Sequence, residues 1–74
     1  MTLHTIPVES TTLATLAYDP VEQLLQLQFR AGEIYQYRGV PLLVYHSLLQ
    51  ATSKGKHFHQ TIRGRFPYVL ISAS

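Results

Sequence analysis

From Leu25 to Arg30 the chain alternates: Leu25, Leu27 and Phe29 are separated by Gln26 and Gln28, and Arg30 follows. A period of two places the apolar side chains on one face of an extended strand and the polar ones on the other. An extended pattern resumes at residues 34–37, after Ala31-Gly32-Glu33, whose glycine tolerates positive φ. The two segments are predicted to pair as a hairpin. Before them, residues 11–18 mix β-branched and apolar types and run into Asp19-Pro20, a turn-initiating pair, so a first strand is expected there.

The period then changes. Pro41 suits the first turn of a helix, where its missing N–H costs nothing, and a helix from Pro41 to about Ala51 is predicted. Its apolar positions, Leu42, Val44, Tyr45, Leu48, Leu49 and Ala51, recur at spacings of three and four, leaving His46, Ser47 and Gln50 nearer the outside. Ser53-Lys54-Gly55 is expected to stop this helix, with Gly55 as a left-handed cap and Lys54 complementing the dipole. Residues 57–63 are predicted to form a short second helix that buries Phe58 and Ile62 and ends at Gly64. Residues 66–71 read as a last strand, with Pro67 at its beginning or on the sheet edge. The expected fold class is α+β: a small antiparallel sheet, a three-strand meander plus a C-terminal strand, packed against one main helix and a short second one. Residues 1–9 are expected to be a flexible N-terminal segment, and residues 10–71 a single domain.

Composition narrows the function classes. A chain of 74 residues supports one core, and 46% hydrophobic against 14% charged residues argues that the core forms. Cysteine is absent, which removes disulfides, thiol catalysis and thiolate zinc sites. No apolar run approaches the ~20 residues of a membrane span, and residues 1–10 lack the pattern of a signal peptide, so a cytoplasmic location and no membrane association are expected.

The net charge of +2 is unevenly spread. Arg30 and Arg38 are outweighed by Glu9, Asp19, Glu22 and Glu33, whereas Lys54, Lys56, Arg63 and Arg65 in residues 52–74 meet no acid. These four could neutralise phosphates around a helix terminus and a glycine turn. The competing reading is an ordinary solvated face. Tyr35 and Tyr37 share one face of their strand, and paired aromatics on a sheet form a platform for stacking unpaired bases. Their competing role is packing in the core or against a helix.

Catalytic and metal-binding signals are poor by comparison, His57-x-His59 suiting a shared metal only in an extended segment. Ser-Lys-Gly-Lys at residues 53–56 lacks the order of a phosphate-binding loop. His57 and His59 diverge if their segment is helical, with no cysteine or carboxylate set beside them. Asp19 before Pro20 orders a turn more readily than it transfers protons. No catalytic residue, metal ligand or cofactor is expected.

A string of positions carries a resemblance: Ala17-Tyr18-Asp19, Leu25-x-Leu27-x-Phe29, Gly32-x-x-Tyr35-x-Tyr37, Val40-Pro41, Ser53-x-Gly55-Lys56-x-Phe58 and Ile62-Arg63. In this order, over about residues 10–68, the chain resembles the KTSC domain family. That family takes its name from the C-terminus of some lysyl-tRNA synthetases and also occurs as small separate proteins of bacteria and phages. It has no established activity, and its link with a tRNA enzyme implies RNA as a ligand. Where the family commonly has asparagine after the aromatic, this chain has His59.

The expected function is therefore a non-catalytic binding module for RNA, tRNA-like or single-stranded, with Lys54, Lys56, Arg63 and Arg65 on phosphates and Tyr35 or Tyr37 stacking. The alternative is a protein-interaction module, or homo-oligomerisation through a sheet edge or an apolar helix face.

Overall fold

In the computed structural model, which describes residues 3–73, the alternating segment is strand β3 (Leu24–Phe29). It lies between β2 (Leu13–Asp19) and β4 (Ile34–Tyr37). Two edge strands complete an antiparallel sheet of five in the order β1-β2-β3-β4-β5: β1 (Thr5–Pro7) beside β2, and β5 (Tyr68–Ser72) beside β4. Between β4 and β5 come helices α1 (Leu42–Gln50) and α2 (Lys54–Thr61). The α+β class and the C-terminal strand are as expected. The meander gains a strand, because part of the segment 1–9 pairs with β2 at Thr5–Ala17, Ile6–Leu16 and Pro7–Thr15.

Register explains which face is buried. Leu25 stands opposite Tyr18 and Tyr37, and Leu27 opposite Leu16 and Tyr35, so these side chains share one face. Both helices cover that face: Leu48 of α1 and Phe58 of α2 join Leu13, Leu16, Leu25 and Leu27 in one cluster, with Ile62 just beyond α2. Each such burial stabilises the fold by about 1.5–3 kcal/mol before the entropy of ordering is counted. The opposite face is tied by amides and a hydroxyl, Gln36 Nε2 donating to Gln26 Oε1 at 2.9 Å and Thr15 Oγ1 to Gln28 Oε1 at 3.0 Å.

The turns follow local chemistry. Asp19 Oδ1 accepts from the N–H groups of Val21 and Glu22, so the residue before Pro20 orders the turn. At the β3–β4 turn Gly32 adopts φ 112°, a conformation that an L side chain resists.

Three sequence expectations are corrected around the helices. Gly55 is not a cap. It lies inside α2, buried, with Ser53 as the N-cap residue whose side chain accepts from Lys56 N–H. The second helix accordingly starts at Lys54 rather than at residue 57. The capping residues belong to the next helix: Ser53 opens α2, while α1 simply ends with Ala51 extended. Leu42, expected in the buried stripe, is 45% exposed, because at about 100° per residue it lies about 120° around α1 from buried Leu48.

Candidate functional site

Five aromatic rings close a circuit on the helix-covered face of the sheet. Starting from β3, Phe29 meets Tyr35 edge-on with centroids 5.7 Å apart, and Tyr35 lies 5.5 Å from Tyr68. Tyr68 is 5.4 Å from Tyr37, Tyr37 is 5.5 Å from Phe58, and Phe58 returns to Phe29 at 5.5 Å. Alternation along β3 and β4 brings Phe29, Tyr35 and Tyr37 to this face, and Tyr68 joins because β5 pairs it directly with Tyr37. Phe58 is supplied by α2. Such spacings and tilts are the favourable offset and edge arrangements of aromatic quadrupoles.

The rings line a cleft of about 510 Å³, a size usual for small-molecule sites. Its lining includes His59, Arg63 and Gly64 from α2 and the following turn, and Arg30, Ala31 and Glu33 from the β3–β4 turn. The Arg63 guanidinium is held by His59, with Nη1 3.2 Å from His59 Nδ1. Arg30 is anchored by its guanidinium, which donates to the carbonyls of Ser10 and Val8. A second cleft of about 480 Å³ adjoins the first, sharing Thr11 and Arg30 with it and reaching Lys54 at the start of α2.

Burial divides the rings. Tyr37 is only 4% exposed, while Tyr68 at the rim is 57% exposed. Burial raises the Tyr37 phenol pKa above the ordinary 10.0, and Tyr35 and Tyr68 push it the same way, while the charge of Arg63 acts against them.

The structure sorts the residues singled out in the sequence. Arg63, Tyr35 and Tyr37 meet in the aromatic cleft, and Lys54 lines the adjoining one while donating from Nζ to the Ala51 carbonyl at the end of α1. Lys56 and Arg65 line neither cleft, and Arg65 instead donates to the Gln60 carbonyl. The tyrosines are not an open platform: Tyr37 is a core residue and Tyr35 a half-buried wall. Phe29, Phe58 and Tyr68 were visible only as core or strand residues, since their meeting depends on which strand β5 pairs with. On α2 the two histidines diverge, His57 with an enclosed, unpartnered Nε2 and His59 exposed against Arg63. Among the described residues no group of three or more histidine, cysteine, aspartate or glutamate side chains could hold a metal ion. No helix among them is long and apolar enough to cross a membrane.

Comparison with known proteins places this architecture. The model of the KTSC domain matches residues 9–66. An uncharacterized protein of Stutzerimonas stutzeri is 40% identical over 58 residues, covering 78% of this chain and 82% of that protein. A lysine-tRNA ligase of a Nostoc species is 42% identical over 64 residues, or 86% of this chain, which spans only 11% of that enzyme. The crystal structure of a KTSC domain protein from Yersinia pestis superposes with a TM-score of 0.93 at 35% identity, covering 96% of this chain and all of the other.

Proposed function

The chain belongs to the KTSC domain family, and we propose that it is a non-catalytic binding module whose aromatic cleft takes an unpaired RNA nucleotide. The observation that carries this reading is the closed circuit of five rings with exposed Tyr68 in it, in a cleft that Arg30 and Arg63 also line. A base inserted there stacks on Tyr35 and Tyr68, and its phosphates meet Arg63 and Arg30. The adjoining cleft continues the path to Lys54, so a short strand rather than a lone nucleotide fits the arrangement. Lys56 and Arg65 contribute long-range attraction only. The presence of a similar segment within lysine-tRNA ligases supports RNA over other polyanions.

Equilibrium binding of a single-stranded RNA to the wild type, R63A and R65A tests this. Loss at R63A well beyond that at R65A supports the cleft. Equal losses instead assign binding to diffuse positive charge.

A second reading has its own observation. β5 is an edge strand on which Tyr68, Val69, Leu70 and Ile71 are all between 40% and 57% exposed, with no charged residue to blunt it. Antiparallel pairing of β5 with the same strand of a second copy is self-complementary and brings no like charges together. Self-association through β5 is compatible with a cleft that opens beside it.

A further inference from the structure

Beside its arginines the cleft is lined by one acidic residue, Glu33, whose position is set without its side chain. The Glu33 carbonyl accepts from Phe29 N–H at 2.9 Å, and Gly32 N–H donates to the Phe29 carbonyl at 2.9 Å, so backbone alone fixes the β3–β4 turn. Glu33 is half-buried at the lining of the cleft, beside the aromatic wall. Its carboxylate enters none of the side-chain hydrogen bonds among the described residues, although Arg30 and Arg63 line the same cleft: Arg30 turns to the Ser10 and Val8 carbonyls, and Arg63 to His59. The carboxylate thus keeps both oxygens for a ligand.

We infer, on the reading of the cleft as a nucleotide site, that Glu33 selects the base and that the base is guanine. A carboxylate offers two acceptor oxygens and no donor. Guanine alone presents two adjacent donors, N1–H and the N2 amino group, along its Watson–Crick edge, so two parallel hydrogen bonds form. Adenine and cytosine set one amino donor beside a ring nitrogen acceptor, and uracil sets one N–H between two carbonyls. Each of these turns a lone pair toward a carboxylate oxygen, which repels. Stacking on Tyr35 and Tyr68 is indifferent to the base, because every base has a π face. Glu33 therefore supplies discrimination, while the rings and arginines supply affinity.

Four single-stranded RNAs, identical except for a central guanine, adenine, cytosine or uracil in an otherwise all-uracil sequence, are titrated into the wild type and E33Q at low salt. The guanine RNA is expected to bind the wild type about tenfold more tightly than the others. In E33Q, which keeps the shape but replaces one acceptor with a donor, the four affinities should fall within about twofold of one another. Equal binding of all four to the wild type, or a guanine preference that survives E33Q, overturns the inference while leaving the nucleotide site standing. Failure of every RNA to bind overturns the nucleotide reading itself and this inference with it. Saturable binding of free lysine to the wild type, lost in E33Q and competing with RNA, would make Glu33 a cation site and also overturn it.

Discussion

A Cβ placed on Gly55 would stand 2.5 Å from Thr12 Oγ1 and 2.8 Å from Thr12 Cβ. The start of α2 is thus pressed against the chain leading into β2, and only glycine permits the approach. Since Thr12 Cβ is fixed to the backbone, rotating the hydroxyl away does not relieve the clash. G55A should destabilise the protein by about 2 kcal/mol, even though alanine favours a helix by about 1 kcal/mol over glycine. Urea denaturation of G55A checks the sign. Added stability would mean that α2 moves off the sheet at little cost.

Tyr37 and Tyr68 face each other in the sheet but should behave differently on truncation. Tyr37 is buried in the core, so Y37A should cost about 3–5 kcal/mol of stability. Y68A removes a ring that is 57% exposed together with its contacts to Tyr35 and Tyr37, should cost only about 1–2 kcal/mol of stability, and should weaken RNA binding by about 1–3 kcal/mol through lost stacking. Thermal denaturation and binding measured on the same two variants separate these roles.

Burial raises the phenol pKa of Tyr18, Tyr37 and Tyr45 above 10.0. In the folded state these groups hold their protons at a pH where the unfolded chain has released them. Stability is therefore unaffected by these groups below about pH 10, and falls as pH rises through the unfolded value toward the folded ones. Y37F should make the alkaline loss shallower. Denaturation midpoints between neutral pH and pH 11, wild type against Y37F, test the direction.

Much of this architecture is legible in the sequence where one period dominates. The Leu25-x-Leu27-x-Phe29 alternation and the Asp19-Pro20 turn needed no tertiary information, and each appears as read. Local signals misled where two elements adjoin with little chain between them: Ser53 and Gly55 read as the end of α1, whereas they start α2 and seat it on Thr12. Of the cleft, Arg63, Tyr35 and Tyr37 could be singled out from charge and strand parity. Tyr68 could not, because its place beside Tyr37 is created by a pairing across two helices. Glu33 carries no signal in the sequence beyond its charge, because its place at the cleft is created by the β3–β4 turn.

If β5 pairs with its counterpart in a second copy, the apparent mass should rise with protein concentration and persist at high salt, since the contact is apolar and backbone-mediated. V69K introduces a charge on that strand and should shift the equilibrium to monomer. Sedimentation at several concentrations decides it, and a concentration-independent monomer removes this reading.

The central claim, an RNA nucleotide held in the aromatic cleft, is tested most directly by NMR titration of the labelled protein with a short single-stranded RNA at two salt concentrations. Saturable shifts concentrated at Phe29, Arg30, Glu33, Tyr35, Arg63 and Tyr68, weakening as salt rises with a slope of about 0.7 per phosphate engaged, are the predicted result. Absence of shifts at low salt, or shifts confined to Lys56 and Arg65 outside the cleft, would contradict it.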